Sequence, residues 1–95
     1  MDHKTIPGPK ELFNQFYPTR FGVSFKLLSY CSQVVNGVNY ALEIEETIIT
    51  TPPFKTNKIC HYFYVDLDGN ITDKGLQNHL PKDTGFSGGW SCQKV

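Results

Sequence analysis

The Asn36-Gly37 pair, standing between two alternating segments, constrains the fold of this chain more than any other feature. Apolar and polar residues alternate from Phe21 to Val35 and again from Val38 to Thr50. Asn-Gly between two such runs is the strongest short hairpin signal, because a type I′ turn needs φ > 0 at both central residues and these two types tolerate it best. With Asn36 and Gly37 as the loop, Val35 pairs with Val38, Gln33 with Tyr40, Cys31 with Leu42, Ser29 with Ile44 and Phe25 with Ile48. One face is then mostly apolar, while the other collects Ser24, Lys26, Ser32, Asn39, Glu43, Glu45 and Thr47, as in a half-buried antiparallel ribbon. Leu27 falls opposite Glu46 and breaks the pattern, which marks a place for a β-bulge or a wider turn.

The rest of the chain builds on this ribbon. Residues 9 to 17 read as a helix: Pro9 suits the first helical position, Leu12, Phe13, Phe16 and Tyr17 recur on one side, and Pro18 stops it. So short a helix forms only against a sheet, and the face carrying Phe21, Val23, Phe25, Leu27 and Cys31 offers one. Pro52 and Pro53 bar central-strand pairing in the connection from 50 to 57. A third strand, Lys58 to Leu67, is apolar or aromatic on both faces and belongs in the middle of the sheet. Asp68-Gly69 signals the next turn, and a short fourth strand is expected from Ile71 to Gln77. The expectation is therefore a single α+β domain over residues 1–95, with one N-terminal helix and about four strands. Residues 1–8 form an extended arm, and no structure is assigned to the tail, residues 87–95.

Composition narrows the function classes. Ninety-five residues make one domain, and a formal net charge of zero offers no basic footprint for a nucleic acid. The polar start Met1-Asp2-His3-Lys4-Thr5 has no apolar signal region, and no segment suits a membrane span, so a cytoplasmic protein with no membrane partner is expected; a secreted mature domain is the alternative. Three cysteines, Cys31, Cys60 and Cys92, cannot all pair within one chain; a reduced state is the simpler reading and one disulfide plus a free thiol the other. Asp66-Leu67-Asp68-Gly69-Asn70 is similar to the start of a calcium loop, but Ile71 stands where Gly is required and Gln77 where Glu closes the site, so no metal or cofactor is expected. Cys60 and His61 are neighbours on a strand and point to opposite faces. With no Ser-His-Asp order and no Lys-Ser or Lys-Thr after Gly88-Gly89, no enzymatic activity is expected.

Gln33-Val34-Val35-Asn36-Gly37 resembles the Gln-x-Val-x-Gly motif of the cystatins, and Val38-Asn39-Tyr40 resembles the strand that leaves that loop in the stefin branch. Ile6-Pro7-Gly8 is similar to the stefin lead-in, and Asn57-Lys58 with His61, Leu67-Asp68-Gly69 and Thr84-Gly85-Phe86 fall in the stefin order. The resemblance implies a cystatin-like fold, a helix across a curved antiparallel sheet. It also implies reversible, tight-binding inhibition of papain-like cysteine proteases by a wedge of the N-terminal arm and two hairpin loops. On that resemblance Val34 and Val35 supply apolar contact and Gln33 polar contact at the loop's base, while Asn36 and Gly37 make the turn. Ile6 and Pro7 occupy the substrate-side groove with Gly8 as hinge, and Leu67, Asp68 and Gly69 touch the far wall. The protein is expected to be monomeric, with hairpin exchange as a route to a dimer. The chain departs from the family in its shorter helix and in Leu67-Asp68-Gly69, where stefins tend to carry a proline and secreted cystatins a Pro-Trp pair. The alternative is a binding module for a non-protease protein, anchored by Tyr62, Tyr64 and Trp90.

Overall fold

The computed structural model describes residues 6–50 and 52–95. In chain order the elements are helix α1 (Pro9–Phe16) and strands β1 (Val23–Val35), β2 (Gly37–Ile48), β3 (Lys55–Val65), β4 (Ile71–Gln77) and β5 (Ser91–Lys94). The strands form one antiparallel sheet in the order β4-β3-β2-β1-β5. The chain is thus α+β, with five strands rather than four. The meander β1 to β4 follows the expected order with β3 inside, and the fifth strand comes from the tail that showed no pattern.

Helix α1 begins where Pro9 presets φ, and the Glu11 carboxylate accepts the Gly8 N–H at 3.0 Å. It ends ahead of Pro18 and lies on one sheet face. There Leu12 joins Leu27, Leu42, Ile44, Phe63 and Val65 in a buried cluster, flanked by Phe13, Phe16, Tyr17 and Phe25. An eight-residue helix is far too short to persist alone, so this burial is what holds it.

The β1–β2 register is one residue away from the sequence-based one. Val35 pairs with Gly37, Val34 with Val38, Gln33 with Asn39, Ser32 with Tyr40, Cys31 with Ala41 and Tyr30 with Leu42. Asn36 alone forms the apex, and only Gly37 has positive φ, at 108°, so the turn is not type I′. A bulge at Leu28 then shifts the ladder, setting Leu27 against Ile44 and Phe25 against Glu46. The irregularity expected near Leu27 is real, and its consequence is a change of parity: Leu27 and Tyr30 both face α1. Cys31 consequently points away from the helix, not toward it, and Phe21 lies outside the packed face, fully exposed.

The second face is covered by the C-terminal segment. The chain leaves β4 at one edge of the sheet and reaches β5 at the other, crossing the face opposite α1. Tyr62 donates to the His79 carbonyl at 2.8 Å and packs edge-on against Trp90, with ring centroids 6.0 Å apart. Cys31 and Cys92 are directly paired across β1 and β5 and form a disulfide, while Cys60 is a buried free thiol. The cysteines are therefore not all reduced: the bulge turns Cys31 to the face opposite α1, beside Cys92 of the edge strand β5.

Candidate functional site

The β1–β2 tip and the β3–β4 turn lie at the same end of the sheet, because Val38 pairs with Val34 on one side and Val65 on the other. Neighbouring strands are about 4.8 Å apart, so the two loops stand side by side. Three large apolar side chains project there: Val34 (71% exposed), Val35 (45%) and Leu67 (66%).

The tip is held by its neighbours. The Tyr64 hydroxyl donates to the Asn36 carbonyl, and Gly37 is packed so closely on β3 that a Cβ there would lie 2.6 Å from the Val65 carbonyl oxygen. Gln33 turns inward: its amide donates to the Gly88 carbonyl at 3.1 Å and its oxygen accepts from Asn39 at 3.0 Å. The polar contact that the resemblance assigned to Gln33 is thus occupied within the chain. Tyr64, Asn39 and Gly88, which sequence reasoning missed, are the clamps. Parity along β2 and β3 was the signal that could have found the first two, since Asn39 pairs with both Gln33 and Tyr64.

The β3–β4 turn is pinned by Asp66, whose carboxylate accepts from the Asn70 N–H at 2.8 Å, the Asp68 N–H at 2.9 Å and the Asn70 side chain at 3.0 Å. These bonds, that of the Asn70 N–H foremost, hold the Asp66 carboxyl below its usual range. Gly69 takes the left-handed conformation at φ 87°. The carboxylates that resembled a calcium loop therefore serve the turn through Asp66, while Asp68 stands exposed with no hydrogen bond to its carboxylate among the described residues.

Of the N-terminal arm expected over residues 1–8, residues 1–5 lie outside the described residues. The phenol of Tyr40, near the tip-proximal end of β2, is pushed above its ordinary value by burial and then by Glu11. Ile6 is exposed, and Pro7 and Gly8 are half-buried. The hydrogen bonds of Gly8 go to its own helix, and among the described residues none ties Ile6, Pro7 or Gly8 to either loop.

Beneath the helix, His61 bridges Tyr17 and Asp73, each at 2.7 Å. The Tyr17 hydroxyl is bonded to Nδ1, and Nε2–H donates to the Asp73 carboxylate. The ring is sandwiched among Phe16, Tyr17 and Phe63 and is almost fully buried. Hydrogen bonding to His61 lowers the Asp73 carboxyl, and burial, followed by Asp73 and Glu46, raises the Tyr17 phenol. This relay fastens the helix end to β3 and β4. Cys60 faces the other way, its thiol pushed up by burial and then by Glu43, so it is a poor nucleophile. No protein-family model matches this chain, and no curated protein sequence or solved structure matches it either.

Proposed function

We propose that this chain is a non-catalytic, reversible inhibitor of papain-like cysteine proteases that presents the 33–37 tip and the 66–70 turn to the active-site cleft. The observation that supports it is the placement of exposed Val34, Val35 and Leu67 at one end of the sheet, on loops already fastened by Tyr64, Gln33 and Asp66. A pre-ordered apolar edge loses little entropy on binding and fills a cleft without offering a scissile bond in attack geometry. Ile6, Pro7 and Gly8 complete the edge as an untied arm that orders against the enzyme. Asp68 stays at the rim, where its desolvation is avoided.

A second reading, a cystatin-like binding module for a non-protease protein, is favoured by the internal engagement of Gln33, which leaves the tip's outward contact apolar. Tyr62, Tyr64 and Trp90 are not its anchors, since all three hold the chain's own loops. A disulfide such as Cys31–Cys92 persists in an oxidising compartment, which supports the secreted alternative to a cytoplasmic location. Among the described residues no helix is long and apolar enough to cross a membrane.

Titration of a papain-like enzyme decides between the readings. Stoichiometric loss of activity, weakened about tenfold or more by Val34→Ser with Val35→Ser at unchanged melting temperature, is the expected result. Full protease activity at micromolar protein would refute inhibition.

A further inference from the structure

The end of the sheet opposite the tip carries a second apolar edge of different character. Arg20 bridges to Val23 around a turn with Phe21 and Gly22 at its apex, and Gly22 takes φ 84°. The Ile49 N–H donates to the Gly22 carbonyl at 2.9 Å and fastens this turn to the end of β2. Ile48 pairs with both Val23 and Lys55, so Phe21, Ile49 and Phe54 stand near the ends of β1, β2 and β3 in a row about 10 Å long. Phe21 is fully exposed, and Ile49 and Phe54 are 44% and 54% exposed. The turn requires Gly22 at its left-handed position, but nothing in its backbone requires a phenylalanine beside it.

The segments that carry this row hold charges of one sign. The chain carries no Asp or Glu between Glu11 and Glu43, and none between Glu46 and Asp66. The described segments at this end, 17–25, 48–50 and 52–56, therefore contribute only the exposed cations Arg20 and Lys55, with Lys26 one step up β1. The nearest carboxylates lie a step further along β2: Glu46, level with Phe25 and Asn57 and accepting from the Asn57 amide at 3.4 Å, and Glu45, between Lys26 and Lys58 in the ladder. Asp66 and Asp68 stand at the other end. The net charge of zero therefore does not describe this end, where Arg20 and Lys55 are the charges beside the row.

We infer that this end docks on an anionic lipid surface, with Phe21, Ile49 and Phe54 entering the boundary between headgroups and acyl chains and Arg20 and Lys55 at the level of the lipid phosphates. Apolar tips with a cationic rim meet both demands of an anionic interface, apolar contact below and positive charge above. Docked this way, the protein points the 33–37 tip away from the bilayer. The inference does not rest on what that tip binds.

The test is co-sedimentation with phosphatidylcholine vesicles, with and without phosphatidylserine. Binding is expected to the phosphatidylserine vesicles and to weaken as salt is raised. Arg20→Gln and Lys55→Gln should each lower partitioning about fivefold. Phe21→Ser with Phe54→Ser should lower it about tenfold or more, with unchanged circular dichroism since both side chains are exposed. Absence of binding to phosphatidylserine vesicles at low salt, or undiminished binding by the double phenylalanine variant, overturns the inference. So does a dimer that Phe21→Ser with Phe54→Ser dissociates in the absence of vesicle binding, which would make a second copy the occupant.

Discussion

Removing the Cys31–Cys92 disulfide tests the arrangement of the second sheet face. The bond closes a loop with a sequence separation of 61, and on the chain-entropy account a loop of that length restricts the unfolded state by about 4 kcal/mol. That is a large part of the total stability of so small a domain. The perturbation is Cys31→Ala with Cys92→Ala, which leaves no hydroxyl in the fully buried site of Cys31. With a urea m-value of about 1.5 kcal/mol/M, the unfolding midpoint should fall by about 3 M. Trp90 is the only tryptophan and lies on Tyr62, so its fluorescence reports the C-terminal segment while far-ultraviolet circular dichroism reports the sheet. In the variant the fluorescence transition should precede the sheet transition, because a four-residue β5 and a few hydrogen bonds are all that keep the segment in place. A dithiol reductant should carry the unmodified protein to the variant's midpoint and leave the variant unmoved. A variant within about 1 kcal/mol of the parent, or a parent indifferent to reductant, would refute the pairing and the placement of β5 with it.

Further outcomes follow from single contacts. Gly37→Ala should destabilise by about 2 kcal/mol or more, from the left-handed backbone and the close Val65 carbonyl, and lower the melting temperature by about 10 °C; a loss under 0.5 kcal/mol would contradict the packing at the tip. Tyr64→Phe removes the donor to the Asn36 carbonyl and should lower stability by about 1 kcal/mol at most, while speeding amide exchange at residues 35–37; unchanged exchange would show that the bond does not hold the tip. The folded Asp73 carboxyl lies below its unfolded value, so its contribution is complete above the unfolded pKa of about 3.9 and is lost as pH falls through the lower folded value. Asp73→Asn should therefore be less stable near pH 6 and lose less stability than the parent on acidification; parallel stability curves would exclude the His61 bond as the cause.

Much of the meander was legible because its signals are local. Alternation over 23–35 and 38–48, the prolines at 52 and 53, and the turn residues Asp68-Gly69 place three strands and lead into the fourth, and Pro9 and Pro18 bracket the helix. The adjacency of the 33–37 tip to the 66–70 turn follows from that order alone, since successive hairpins return the chain to the same end of the sheet. The calcium-like run at 66–70 also explains itself locally, through the bonds that the Asp66 carboxylate accepts from Asp68 and Asn70.

Tertiary structure decided what parity and distance leave open. A bulge at Leu28 exchanges the faces of everything beyond it, and the break in alternation at Leu27 marks the irregularity without fixing which residues change face. Only the folded sheet turns Cys31 toward Cys92 and brings Gly88 to Gln33, partners far apart in sequence. By itself the sequence determined the order of strands β1 to β4 and two apolar loops at one end. Packing determined which side chains remain free to act there, because each hydrogen bond to Gln33 or Asn36 requires a partner from another strand or from the C-terminal segment.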